Sequence, residues 1–262
     1  MPIVPADTEI RIFTKNFVDS DSTFTLSHGG TAANLYDRDI DSKSTTVNCR
    51  FDYQTATVDI QFNLDSVETQ MTFNSIIMIN HNLKSFNVYY WNSTTSAWVK
   101  YFGITEFSGE IACYTFGAIK SSRVRIEMMT TQNPNREKHI GELIIARQRF
   151  VLPRPETFSI QHRTKATILE LGDGSRHTAY TRFSTNRISK YGATFNFRML
   201  PRSDYENLEC LKNEGQPFLW YPESVTRPKE IFYVNWLGEF QAEYSFQYNG
   251  AGYNLSMNLD EV

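Results

Sequence analysis

Three aspartates alternate in NLYDRDIDSKSTT, residues 34–46: Asp37, Asp39 and Asp41, with a run of hydroxyl side chains behind them. Carboxylates so spaced could ligate a hard cation, do acid–base chemistry, or close a polar turn on their own backbone. An EF-hand loop beginning at Asp37 needs glycine at its sixth position and glutamate at its twelfth. The chain has Ser42 and Asn48 there, which excludes that motif. Acid–base work by paired carboxylates needs one of them in a cleft with a raised pKa, and a stretch this polar reads as wet. Taken alone, these residues read as a solvated turn held by Asx hydrogen bonds.

The remaining reactive side chains make no catalytic pattern. His28, His81, His139, His162 and His177 show no H-x-x-x-H or H-E-x-x-H spacing. No G-x-S-x-G elbow or Walker A loop is present. Glu142 and Glu170 could be nominated as a hydrolase pair, but nothing in their spacing singles them out. The expectation is a protein that is not an enzyme. Cys49, Cys113 and Cys210 are odd in number and far apart, so they read as buried or half-buried thiols. Arg182, Arg187 and Lys190 lie near Phe183 and Tyr191, but the net charge of −3 argues against a specific nucleic-acid partner. No apolar run approaches the length of a membrane span, and MPIVPADTEIRIF lacks the features of a secretory signal. Synthesis in the cytoplasm, with no membrane partner, is expected.

The elements that must position these residues are strands. Aromatics are 14% of the chain, which favours sheet over helix. Period-2 alternation sets Val58, Ile60 and Phe62 on one face. It does the same for Phe86, Val88 and Tyr90, for Val124 and Ile126, for Phe195, Phe197 and Met199, and for Leu255, Met257 and Leu259. NSIIMIN, residues 74–80, is continuously apolar and fits a strand covered on both sides. Asp173-Gly174 predicts a hairpin turn. Ser203-x-x-Glu206 after Pro201 predicts a capping box that opens one short helix, with Tyr205, Leu208 and Leu211 on one face and Gly215 as its stop. The prolines of FVLPRPETF, residues 150–158, divide the chain into domains at 1–150 and 151–262.

The block from Ala33 to Arg147 resembles the discoidin or galactose-binding-like β-sandwich family. NLYDRDIDSKSTT, TATVDIQFNL, FNSIIMINHNLKSFNVYYWNSTTSAWVKY, SSRVRIEMM and IGELIIAR occur in the family's order. Ser44 stands in the region where the family often has tryptophan. The resemblance implies an all-β fold opening with a galactose-binding-like jelly-roll sandwich. It implies host-surface glycan as a partner, met by exposed aromatic and arginine loops at one end of the sandwich. It also brings calcium as an alternative occupant of the early loop, with Asp37, Asp39 and Asp41 as ligands. No other cofactor is expected.

Residues 155–262 resemble a small β domain of tail proteins from long-tailed bacteriophages, of the distal-tail, tail-hub or minor-tail type. LELGDGSRHTAYTRF, ISKYGATFNFRML, PRSDYENLECLKNEGQP, QPFLWYPE and the closing YNLSMNLDEV carry that likeness in order. The resemblance implies a smaller β domain with one short helix. It implies a structural role in the virion tail, assembling into a ring with itself and with other tail proteins. Aromatics crowd residues 216–253, more than a small domain readily hides. Trp220, Tyr221, Trp236 and Phe240 are the expected assembly interface. Carbohydrate binding is the alternative function.

Overall fold

The computed structural model describes residues 9–39, 41–64, 69–153, 155–164, 166–170, 176–180, 189–222, 230–247 and 250–262. The fold is all-β with one α-helix. In chain order the strands begin with β1 (Glu9–Phe13), β2 (Thr23–Leu26), β3 (Ser44–Thr45), β4 (Ala56–Gln61), β5 (Met71–Ile79) and β6 (Leu83–Asn92). They continue with β7 (Ala97–Ile104), β8 (Ile111–Ser121), β9 (Arg123–Thr131), β10 (His139–Ile140), β11 (Glu142–Ala146) and β12 (Gln148–Pro153). Next come β13 (Thr157–Thr164), β14 (Ala166–Glu170), β15 (Arg176–Tyr180), β16 (Ser189–Leu200) and the helix α1 (Arg202–Glu214). The chain closes with β17 (Phe218–Tyr221), β18 (Phe232–Leu237), β19 (Ala242–Gln247) and β20 (Gly250–Glu261). Two compact units result, one holding Asn16–Gln148 and the other holding β1 with Arg149–Val262.

The first unit is a β-sandwich. A five-stranded sheet in the order β2-β4-β9-β6-β7 and a three-stranded sheet in the order β11-β5-β8 enclose one core. Alternation decides which side chains enter it. Ala56, Val58 and Ile60 of β4 and Val124, Ile126 and Met128 of β9 are buried, while Asp59, Arg125 and Glu127 turn away. Each fully buried Val, Ile or Phe contributes roughly 1.5–3 kcal/mol relative to exposure. Ser75–Ile79 of β5 is buried along its whole length, as the continuous run NSIIMIN predicts.

The second unit is built on an eight-stranded sheet. Its main path is β12-β1-β17-β18-β20-β16-β13, and β19 pairs with β20 off that path. β1 therefore corrects the expected boundary. The residues assigned by sequence to the first domain include a strand of the second unit's sheet, registered with Arg11 opposite Tyr221. The reason is burial, since Ile10 and Ile12 join the second core beside Trp220, Phe218 and Val234. β14 and β15 pair with Glu170 opposite Arg176. The Asp173-Gly174 turn itself lies outside the described residues, as do Arg182, Phe183 and Arg187.

Leu208 and Leu211 of α1 are buried, and Gly215 ends the helix in the left-handed conformation at φ 61°. The capping box is corrected. Pro201 occupies the cap and makes no side-chain cap bond, while Ser203 is already helical and donates to Asp204. Glu206 is held instead by Arg202 one turn earlier. Where β16 bulges, Met199 adopts φ 55° and its backbone crowds Gly252. A Cβ there would lie 2.6 Å from the Met199 carbonyl carbon, so only glycine fits.

Candidate functional site

The aspartate loop folds onto itself. Asp37 Oδ1 accepts the Asp39 N–H at 2.9 Å and Asp37 Oδ2 accepts the Ser42 hydroxyl at 2.7 Å. Asp39 Oδ1 accepts the Asp41 N–H at 3.2 Å. These are Asx turns, in which carboxylate oxygens serve the loop's own donors. Among the described residues, no set of three or more His, Cys, Asp and Glu side chains converges as a metal-holding group. Oxygens of Asp37 and Asp39 are thus turned to the loop's own donors.

The loop has a carboxyl behind it that spacing alone did not connect to it. Glu142 opens β11 with its side chain buried, and its Oε2 accepts the Arg38 N–H at 3.1 Å. Burial, reinforced by the charges of Asp37 and Asp39, pushes its pKa up to about 8 against the pull of that hydrogen bond. Its surroundings thus favour the protonated, uncharged form of Glu142. Glu170 belongs to the second unit, on β14. Two histidines shift in the other direction. Burial holds both His81 and His139 down to about 4, helped by the His139 charge for the first and by Lys43 for the second. His81 Nδ1 accepts the Leu83 N–H at 3.1 Å and its ring lies 5.1 Å from Phe107, so it serves as a structural histidine.

An exposed aromatic loop joins β3 to β4. Phe51 is 39% exposed and Tyr53 82%, yet their rings stack with centroids 5.4 Å apart at 5°. The Arg50 guanidinium lies over the Phe51 ring at 5.7 Å. Asn48 and Asp52 are exposed beside them. The apolar surface sits on a scaffold that orders it from below. Lys138 is fully buried, and its Nζ donates to the Cys49 carbonyl at 2.8 Å and the Phe51 carbonyl at 3.3 Å. Glu137 Oε2 accepts the Cys49 N–H and the Thr46 hydroxyl, both at 3.0 Å. The Gln54 side chain accepts the Phe51 N–H at 3.1 Å, and Gln54 N–H returns to the Phe51 carbonyl at 3.0 Å. Asn48 takes the left-handed conformation at φ 58°.

The arrangement is a rigid amphipathic platform. Ring faces can pack against apolar C–H surfaces, and neighbouring polar groups can bond hydroxyls. Sequence reading passed over these residues. Their available signal was Phe51 and Tyr53 interleaved with Arg50 and Asp52 just before a strand, a charge pattern that keeps rings out of a core.

Of the four aromatics expected at an assembly interface, two lie in the core of this chain. Trp220 and Tyr221 are 0% exposed, because β17 is buried on both faces. Trp220 packs on Phe195 at 4.7 Å. Trp236 and Phe240 are half-buried against the second core, 5.6 Å apart. Among the described residues of the second unit, Tyr244 and Phe246 of β19 face solvent, at 60% and 83% exposure. Cys49 is buried and Cys113 half-buried as expected, while Cys210 is exposed on α1.

No protein-family model matches the chain, and no curated protein matches it. Among solved structures, the family 32 carbohydrate-binding module of Streptococcus pneumoniae EndoD is similar at 16% identity and a TM-score of 0.42, covering 51% of this chain and 99% of that one. The family 32 module of Clostridium perfringens NanJ, solved with galactose, is similar at 13% identity and a TM-score of 0.42, covering 53% and 98%. A chitosan-binding module from a Paenibacillus sp. IK-5 chitosanase/glucanase is similar at 16% identity and a TM-score of 0.41, covering 50% and 98%.

Proposed function

We propose that the chain is a non-catalytic glycan-binding protein whose first unit grips saccharide on the loop from Val47 to Gln54. The observation that carries this reading is the stacked, solvent-facing Phe51–Tyr53 pair, fixed from beneath by the buried Lys138. A loop free to collapse would hide two rings. This one is tied at Cys49 and Phe51 and keeps them in water, which costs free energy unless a ligand covers them. The platform is pre-organised, so little ordering is lost on binding. The test is retention of the full chain on a printed array of neutral glycans, alongside Tyr53→Ala. The reading expects signal for the native chain and its loss in the variant, and equal signal for both would sink it.

We infer a second role beside this one, that of a structural component in a bacteriophage tail, and what supports the assembly it needs is an open sheet edge. β19 pairs on one side with β20, and no strand among the described residues pairs with its other side. Its exposed Tyr244 and Phe246 add an apolar patch to that edge, and an open edge without lysine or proline is an invitation to another chain. In this reading the second unit assembles with copies of itself or with other tail proteins in the virion, and the first unit attaches to host-surface glycan. Light scattering over a concentration series tests it. Growth of the native chain's mass, abolished by Tyr244→Ser with Phe246→Ser, is the expected result, and a constant monomer mass counts against self-assembly.

A further inference from the structure

The alternation that sends Val124 and Ile126 inward turns a second set of side chains outward on the five-stranded sheet. Across the strands they align in rows. Asp59 stands opposite Arg125, Arg125 opposite Tyr89, and Tyr89 opposite Lys100. In the next row Thr57, Glu127, Asn87 and Gly103 correspond. On the other side Gln61 faces Arg123, and Trp91 faces Trp98. A solvated sheet face needs only polar side chains. Two tryptophans on it require a reason.

These groups are held in place. Trp91 and Trp98 meet edge to face, 5.4 Å apart at 76°. Arg125 lies 4.4 Å over the Trp98 ring and is locked to Asp59 by two hydrogen bonds of 2.6 and 2.5 Å. Arg123 lies 5.2 Å over Trp91. The buried Ser121 hydroxyl fixes that corner by accepting the Trp91 and Arg123 N–H groups, each at 3.1 Å. Among the described residues the Arg123 guanidinium has no ion pair and no hydrogen bond, so its whole fork of donors is unspent. Four residues along β9, Glu127 accepts from Asn87 Nδ2 at 2.6 Å and from the Tyr89 hydroxyl at 2.9 Å. Gly103 makes room for this, since a Cβ there would stand 2.3 Å from Asn87 Oδ1.

We propose that this face is a second binding site, for a short oligosaccharide that carries a carboxylate at one end. The proposal rests on reading the first unit as glycan-binding, and it names a surface separate from the Phe51–Tyr53 loop. A guanidinium pre-oriented on an indole takes a carboxylate through two parallel hydrogen bonds. The exposed parts of Trp91 and Trp98 take pyranose C–H faces. Arg123 and Glu127 lie about 13 Å apart along the strand, a span that a trisaccharide covers. Glu127 accepts hydroxyl donors, and the Lys100 ammonium beside Gly103 balances its charge, so that end carries no net charge while Arg123 makes the other end cationic. A neutral sugar would leave Arg123 unpaired. A polyanion such as nucleic acid would place charge against both Asp59 and Glu127.

The test is calorimetric titration of the full chain with trigalacturonate and with its fully methyl-esterified form, repeated for Arg123→Gln, Trp98→Phe and Tyr53→Ala. The site predicts at least tenfold tighter binding of the acid than of the ester. That difference should vanish in Arg123→Gln, affinity for both probes should weaken in Trp98→Phe, and Tyr53→Ala should leave the acid's affinity within twofold. Equal binding of acid and ester overturns the proposal, as does an unchanged Arg123→Gln. Failure of trigalacturonate, triguluronate and a hyaluronate tetrasaccharide to bind overturns it too. If uronate binding is lost in Tyr53→Ala and kept in Arg123→Gln, this second site falls while the loop reading stands. Uronate binding that survives in a chain indifferent to every neutral glycan leaves the second site standing and counts against the loop.

Discussion

Replacing Glu142 by glutamine should remove a pH dependence that runs opposite to ordinary carboxylate behaviour. The Glu142 pKa rises from 4.5 to about 8 on folding, first because burial disfavours its charge and then because Asp37 and Asp39 face it. The folded chain therefore holds this proton more tightly than the unfolded chain does. Stability from it is fully present below 4.5 and is lost as pH climbs through 8. Each tenfold change in proton affinity is worth ~1.4 kcal/mol, so the whole rise corresponds to at most roughly 5 kcal/mol. A cleaner window lies between pH 7 and 8, above the unfolded pKa of 6.5 for His81 and His139. Across it the native chain should lose about 1 kcal/mol, the slope flattening as pH nears the folded pKa of Glu142. Urea melts followed by far-ultraviolet circular dichroism at half-unit pH steps would show this as a falling midpoint with constant m. Glu142→Gln keeps an amide in place of the neutral acid and should give a flat line across the window. Calcium should leave the native slope unchanged, because the aspartate oxygens already serve the loop. A flat native line, or a slope that survives in Glu142→Gln, would refute the reasoning.

Acid should act through His81, whose pKa falls from 6.5 to about 4 chiefly by burial. Its stabilising contribution is present above pH 6.5, is lost as pH falls through 4, and amounts to ~3 kcal/mol, which His81→Asn should blunt in the same melts. Lys138→Met leaves the Cys49 and Phe51 carbonyls without their donor and should cost about 2–4 kcal/mol. It should also abolish retention on neutral glycans although Lys138 cannot touch a ligand, and retention there at native strength would show that the loop needs no prop. Trp220→Ala should cost about 3–5 kcal/mol as a core truncation, whereas Tyr244→Ser with Phe246→Ser should stay within ~0.5 kcal/mol per site as surface changes. Thermal melts of these variants distinguish a buried strand from an exposed one.

The strands were legible because alternation is a one-dimensional signal. Val58 and Ile60, Val124 and Ile126, and Leu255, Met257 and Leu259 are all buried where period 2 puts them. The continuous run in β5 and the Gly215 stop were legible for equally local reasons. What failed depended on partners distant in sequence. β1 belongs to the second unit through its pairing with β17, some two hundred residues away. Trp220 and Tyr221 look like contact residues by type, and only burial on both faces of β17 makes them core. Asp37 and Asp39 were visible as a cluster, but the buried Glu142 that senses them is 104 residues from the Arg38 N–H it accepts. The Phe51–Tyr53 platform depends in the same way on Lys138, 89 residues from the Cys49 carbonyl that it holds. Arg123 and Arg125 alternate with Val124 and Ile126 and so fall on the polar side of a strand. Their stacking on Trp91 and Trp98 comes from β6, β7 and β9 lying side by side.

Whether saccharide is held on the loop above Lys138 can be read from amide chemical shifts of the isotope-labelled full chain, titrated with a pool of neutral oligosaccharides. Saturable shifts centred on Cys49, Arg50, Phe51, Asp52, Tyr53 and Gln54 are expected, absent when Tyr53 is alanine. A spectrum that does not change at millimolar sugar, or shifts confined to other surfaces, would contradict it.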